Sequence, residues 1–244
     1  MISVELSNSK SCKSLADIYC FPFAGGNARN FSAFSSHADR LNIIGIEYPG
    51  RGARYGEPFA VCMDELANSI TSEISQQNPS SFALLGHSMG ADLAFKTAQK
   101  LEKIGLNPRC VFLSARQAPE IAARRKPIHH LPSSEFRSEM HALGGTNLDV
   151  LESIDLMEVF EPILRADFRL AEKRILHDVT PIRAPMVTIF PKWDPFLRDE
   201  DIFPWRKYTS GEYQHLMLDG DHFYVVKKPE DLASFVNEYM RAFF

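Results

Sequence analysis

The chain has 244 residues, 45% hydrophobic and 24% charged, enough apolar material for one sizeable core. Its formal charge of −4 leaves no basic excess, so nucleic-acid binding is not the expected task. No apolar run is long enough to span a bilayer and the N-terminus lacks a signal-peptide layout, so a membrane role is not expected either.

Cys12, Cys20, Cys62 and Cys110 show neither CxxC spacing nor a disulfide framework, and Cys20 and Cys110 lie in apolar runs. A reducing, cytoplasmic setting is expected. Along the chain, short apolar runs alternate with helix-period stretches. Strands are expected at 18–23, 43–48, 82–86, 110–115, 186–190 and 213–220. Helices are expected at 63–76, 89–104 and 230–243. In the second helix Met89, Leu93, Leu101 and Ile104 share a face, and Gly105 supplies the stop. The last opens with Pro229, Glu230 and Asp231. Such alternation implies an α/β fold with a mostly parallel central sheet and helices on both faces.

Residues 116–180 break the pattern, with no convincing strand. "LPSSEFRSEMHALGG" reads as a helix with a serine cap and a glycine stop. "SIDLMEVFEPILRADFRLAEKRI" reads as two helices, or one kinked at Pro162. A helical insertion here forms a lid over the carboxyl ends of the strands, within a single domain spanning 1–244.

"GHSMG" (86–90) fits Gly-x-Ser-x-Gly between a strand and a helix, the setting of a nucleophile elbow. Ser88 is the candidate nucleophile, and the Met89 amide at the helix start is a candidate oxyanion donor. A serine needs a base. Of the eight histidines, His222 in "LDGDHFYV" follows the end of the last strand and is the candidate. His37, His129, His130, His141 and His177 lie in helical or lid segments, and His215 lies within a strand. The pair His129 and His130 has no carboxylate or cysteine at ligand spacing, so no metal site is expected. Asp194, just past strand 186–190, is the candidate acid that orients His222, and Asp199, Glu200 and Asp201 read as a solvated acidic turn. The loop "FPFAGGNARNF" offers the second oxyanion donor, Phe23 or Ala24, because Pro22 has no N–H.

Taken together, "FPFAGGNARNF", "YPGRGARYGEP", "LLGHSMGA", "LSARQAP", "LGGTN", "EPILRADFRLAEKR", "DPF" and "GDHFYV" resemble the type II thioesterases of polyketide and nonribosomal peptide assembly lines. The resemblance runs from about residue 17 to the C-terminus, and "YPGRG" and "LRADFRLAE" are its narrowest parts. It implies an α/β-hydrolase fold with a helical lid and a triad of Ser88, Asp194 and His222. It also implies hydrolysis of acyl or aminoacyl thioesters from phosphopantetheine arms of carrier proteins, clearing stalled or misprimed carriers. Two positions depart from the family pattern: Pro191, where Gly is common, and Phe34, where Trp is common.

A pantetheine channel would need walls, and Trp193, Phe136, Met140, Met157 and Phe160 are candidates. The basic run "ARRKP" offers Arg124, Arg125 and Lys126 as a docking site for acidic acyl or peptidyl carrier proteins, met transiently by a monomer. No dinucleotide fingerprint or phosphate loop is present, so no cofactor is expected. The competing readings are a carboxylester hydrolase or lipase, a medium-chain acyl-carrier thioesterase of fatty-acid synthesis, and a binding module that has kept the fold.

Overall fold

The computed structural model describes residues 2–6, 14–146, 148–173 and 180–243. Its strands are β1 (Ser3–Glu5), β2 (Ala16–Phe21), β3 (Leu41–Ile46), β4 (Phe82–His87), β5 (Val111–Ser114), β6 (Met186–Pro191) and β7 (Tyr213–Leu218). They form one sheet in the order β1-β3-β2-β4-β5-β6-β7. Among the described residues the β1–β3 pairing is antiparallel and the other strand pairs are parallel. Strand β2 stops at Phe21, since Pro22 has no N–H to continue a ladder. The short β1 was not expected, because three residues cannot show a period. Its start is held by Glu73, which accepts from the Ile2 and Ser3 amides at 2.6 and 2.8 Å.

The helices are α1 (Ser32–His37), α2 (Met63–Gln77), α3 (Met89–Lys103), α4 (Ser133–Leu143), α5 (Leu148–Glu152), α6 (Ile154–Glu172), α7 (Asp199–Ile202), α8 (Tyr224–Lys227) and α9 (Pro229–Arg241). Alternation along β2 explains how they are distributed. Tyr19 and Phe21 pack with Leu66 and Ile70 of α2 and Leu93 and Phe95 of α3. Ile18 and Cys20 point the other way, into a cluster with Phe34 of α1 and Leu232 and Val236 of α9. With both faces covered, the strands read as continuous apolar runs. Ile104 departs from expectation: it caps α3 and is exposed, so the buried face ends at Leu101.

Helices α4, α5 and α6 lie between β5 and β6 and have an apolar cluster of their own, including Phe136, Met140, Met157 and Leu164. Pro162 does not split α6. It lies inside one continuous helix, between buried Glu161 and Ile163. Gly144 ends α4 in the left-handed region at φ 71°, as expected. Ser133 does not cap that helix; its hydroxyl instead donates to Glu161 at 2.7 Å. Glu161 also accepts from Arg137 at 3.3 Å and Arg165 at 2.7 Å, lashing α4 to α6.

The site depends on how closely β4 and α3 approach. A Cβ on Gly86 would lie 2.2 Å from the Gly90 carbonyl oxygen, and one on Gly90 would lie 2.1 Å from that of Phe21. Both obstacles are backbone and cannot swing aside. Gly86→Ala is therefore expected to destabilise the fold by about 1–3 kcal/mol. Urea unfolding checks this, and an unchanged midpoint would contradict the close approach.

Candidate active site

The functional parts come from four strand ends on one edge of the sheet. Ser88 follows β4, Asp194 follows β6, His222 follows β7, and the Phe23–Gly26 loop follows β2. Ser88 sits at φ 54° and ψ −120°. Its amide donates to the Ser114 carbonyl at 2.8 Å and its carbonyl accepts from Ala91 at 2.9 Å, so neighbouring β5 and the first turn of α3 fix the elbow.

The structure brings Ser88, His222 and Asp194 into one hydrogen-bonded row. The Ser88 hydroxyl donates to His222 Nε2 at 3.1 Å, and His222 Nδ1–H donates to Asp194 Oδ2 at 2.6 Å. The other Asp194 oxygen accepts from the Phe196 amide at 2.8 Å, so both carboxylate oxygens are satisfied in a fully buried side chain. Pro191 ends β6, and beyond it Lys192 and Trp193 donate to the carbonyls of Leu218 and Gly220, both at 2.9 Å. These bonds carry the acid loop alongside the chain leading to His222. Phe34, the other departure from the family pattern, is buried edge-on to Phe31.

Met89 is the first residue of α3, where an amide has no acceptor within its own helix. In the β2 loop the Gly25 amide is taken by Asp167 at 2.7 Å and that of Gly26 by the Phe23 carbonyl at 2.9 Å. This leaves Phe23 and Ala24 as the donors that the loop can offer. Both line the same cavity as Ser88, Met89 and His222.

His87 is a site residue that the sequence reading missed. It is fully buried, and its Nε2–H donates to the backbone carbonyl of His222 at 2.8 Å. Since a carbonyl only accepts, Nδ1 is the unprotonated nitrogen and accepts from the Ser114 hydroxyl at 2.9 Å. Ser114 in turn accepts from the Tyr224 hydroxyl at 2.7 Å. Tyr224, Ser114 and His87 thus form a buried polar chain that ends on the backbone of His222. Burial, reinforced by the neighbouring His222 ring, holds His87 well below the usual histidine range. The only available signal was a histidine at the last position of a strand buried on both faces.

The cavity above Ser88 has a volume of about 540 Å³. Met140 and Phe160 line it as expected, together with Ile128, Leu164, Phe168 and Leu197. Phe136 and Met157 do not. Both are fully buried in the cluster between the lid helices, since helical periodicity alone did not say which face turns toward Ser88. Trp193 is not a wall either: it is 62% exposed, and its Nε1–H donates to Asp219 at 2.8 Å. Arg124, Arg125 and Lys126 do reach the cavity rim. Arg124 forks onto Asp201 at 2.9 and 2.6 Å, and Arg125 pairs with Glu139 and lies over the Phe196 ring. The charges of Arg124 and Arg125 are therefore paired with carboxylates of the same chain. Asp201 is buried rather than part of a solvated turn, and the hydrogen bonds from Arg124 hold its carboxyl below the usual range.

Of the other histidines, His129 bonds Glu172 through Nδ1 at 2.5 Å, and His215 lies between Thr188 and Asp199 at 2.9 and 2.7 Å. Among the described residues, no group of three or more His, Cys, Asp or Glu side chains could hold a metal ion. His177 and Cys12 lie outside the described residues.

The neutral state of His87 has a measurable consequence. A proton binds its imidazole in the unfolded chain, near pH 6.5, but not in the folded one, so stability falls as pH drops below that value. Between pH 6.5 and 5.5 the native protein is expected to lose about 1 kcal/mol more than His87→Gln does. Urea titrations at both pH values test this, and equal losses would contradict it.

The family model described as "Thioesterase domain" matches residues 16–240. The chain is 30% identical to the gramicidin S biosynthesis protein GrsT of Aneurinibacillus migulanus, covering 92% of this chain and 88% of that one. It is 31% identical to the medium-chain S-acyl fatty acid synthase thioesterase of Rattus norvegicus, covering 91% and 86%. Among solved structures it is similar to YbtT, a type II thioesterase from the yersiniabactin pathway. The TM-score is 0.89 at 26% identity, over 99% of both chains. With its α/β-hydrolase sheet and a family match over nearly all its length, the chain belongs to the thioesterase domain family.

Proposed function

We propose that this thioesterase is an editing enzyme that hydrolyses acyl or aminoacyl thioesters from the phosphopantetheine arms of carrier proteins. In this reading Ser88 is the nucleophile, His222 the general base and then acid, and Asp194 its orienting partner. The observation that carries the reading is the row Ser88–His222–Asp194 at the floor of the lidded cavity. The relative named for gramicidin S biosynthesis, and the similar type II thioesterase from the yersiniabactin NRPS/PKS pathway, support the choice of carrier-bound substrate. Helices α4 to α6 act as the lid of one catalytic domain.

The chemistry follows from the contacts. Ser88 Oγ attacks the thioester carbonyl as its proton passes to His222 Nε2, and Asp194 stabilises the resulting imidazolium. The amides of Met89 and of Phe23 or Ala24 receive the oxyanion. Collapse expels the pantetheine sulfur, which takes the proton from His222. A thiol of pKa about 8.5 is a good leaving group, so attack and oxyanion stabilisation set most of the demand. Water then attacks the acyl-serine, activated by the same histidine, and releases the acid. A cavity of about 540 Å³, apolar on its lid side, suits an acyl group next to the end of the arm.

The partner in this reading is a carrier protein, engaged transiently. Arg124 and Arg125 are poor choices as its docking charges, because Asp201, Glu200 and Glu139 already pair with them. Among the described residues no helix is long and apolar enough to cross a membrane. The free thiols of Cys20, Cys62 and Cys110 support placing the enzyme in a reducing cytoplasm.

Ser88→Ala is expected to lower kcat by roughly 10⁴–10⁶-fold, and Asp194→Asn by about 10⁴-fold, on an acyl carrier thioester. Turnover of acyl carrier proteins and of p-nitrophenyl esters by the native enzyme gives the second arm. A clear preference for the ester would replace this reading with a carboxylester hydrolase. A panel of carriers with acyl, aminoacyl and medium-chain fatty loads then separates editing from fatty-acid release.

A further inference from the structure

Arg51 and Asp167 come from the two narrowest sequence motifs, "YPGRG" and "LRADFRLAE", and they meet in the interior. Their side chains are 5% and 3% exposed, and the guanidinium grips the carboxylate with both nitrogens, Nη1 on Oδ2 at 2.5 Å and Nη2 on Oδ1 at 2.6 Å. The pair does more than join β3's following loop to α6. Asp167 Oδ2 also accepts from the Gly25 amide at 2.7 Å, and Arg51 Nη1 also donates to the Gly26 carbonyl at 3.0 Å. At the other end of the same loop, the Tyr48 hydroxyl donates to the Pro22 carbonyl at 2.9 Å, and Arg51 lies over the Tyr48 ring. The loop is thus held on both sides of Phe23 and Ala24.

Contact with the lid is equally close. A Cβ on Gly25 would lie 2.4 Å from Leu164 Cδ2, one helical turn before Asp167 on α6. Leu164 and Phe168, on either side of Asp167, both line the cavity. One short segment of α6 therefore shapes the acyl cavity and grips the oxyanion loop.

We propose that Arg51 and Asp167 are positioning residues for the oxyanion hole: they set the Phe23–Ala24 amides and make the seating of α6 a condition for that donor. The inference rests on the reading of Ser88 as nucleophile, and it adds a coupling between lid and oxyanion loop. A buried ion pair that served stability alone would leave turnover per folded molecule unchanged. A positioning pair acts when negative charge develops on the carbonyl oxygen, so its loss falls on kcat rather than KM.

The test uses Asp167→Asn and Arg51→Lys in the full chain. Asparagine keeps the shape but loses the charge, and lysine keeps the charge but loses the planar fork. The first readout is kcat and KM on a small acyl N-acetylcysteamine thioester, per folded enzyme. The second is affinity for a trifluoromethyl ketone with the same acyl chain. Its carbonyl is attacked by Ser88 Oγ, the serine proton passes to His222, and the carbonyl electron pair becomes an alkoxide in the oxyanion hole.

Each variant is expected to lose roughly tenfold or more in kcat, with a matching loss of ketone affinity and KM within about twofold. Unchanged kcat and ketone affinity in either folded variant would overturn the inference, as would a rise in KM alone. Should Asp167→Asn fail to fold, Arg51→Lys decides the question by the same readouts. Ser88→Ala separates the two possible failures. Turnover without Ser88 overturns the nucleophile reading and the coupling together, whereas an inactive Ser88→Ala beside a fully active Arg51→Lys overturns the coupling alone.

Discussion

A serine at φ 54° and ψ −120° occupies backbone space that costs an L residue about 1–3 kcal/mol, and the surrounding fold has to hold it there. The restraint is local and specific. Ser88 is bonded through its amide to β5 and through its carbonyl to the first turn of α3, and two glycines let strand and helix close to contact. From that one turn follow the other features of the site. The serine oxygen stands clear of the sheet edge, the first amide of α3 lies beside it, and the ends of β2, β6 and β7 converge on the same point.

A second set of restraints acts from behind. The polar chain Tyr224–Ser114–His87 runs under the elbow and ends on the carbonyl of His222, so the residue next to Ser88 also holds the loop of its hydrogen-bonded histidine. The sheet interior and the row Ser88–His222–Asp194 share a hydrogen-bonded wall. On the lid side, α6 is tied at three places along its C-terminal half. Asp167 meets Arg51, the Ala171 carbonyl accepts from Arg116 at 3.0 Å, and Glu172 accepts from the Ile128 amide at 2.7 Å. Arg116 is itself paired with buried Asp92 of α3. The motifs "YPGRG", "LSARQAP" and "LRADFRLAE" thus converge on the seat of a single helix.

The α/β plan and the positions of Ser88, Asp194 and His222 were legible because each depends on local order: an apolar run, then a turn, then a polar residue at the strand's carboxyl end. What was not legible depends on contacts distant in sequence. Arg124 and Arg125 read as a free basic run until Asp201 and Glu139 are seen against them. Phe136 and Met157 have the same helical pattern as Met140, and only the orientation of α4 and α6 separates core from cavity. Trp193 stands next to Asp194, yet its indole turns outward to Asp219, a contact 26 residues away in sequence. His87, within the motif itself, was passed over because its partners lie on β5, the β7 loop and α8.

The seating of α6 also bears on how such a lid can diverge. Each residue of an α-helix advances the side chains by about 100°, so one inserted or deleted residue between Leu164 and Glu172 would turn the remaining contacts away from Gly25, Arg116 and Ile128. This half of the helix has a fixed length and phase. The preceding half begins with exposed Ile154, Leu156 and Val159 and is joined to α4 through the short α5, with no comparable set of bonds to the sheet among the described residues. Changes of length or composition there would not alter the phase of the residues that meet Gly25, Arg116 and Ile128. The fold thus ties Leu164 and Phe168 of the cavity wall to the loop after β2, whereas Phe160 lines the same cavity from a turn without those ties.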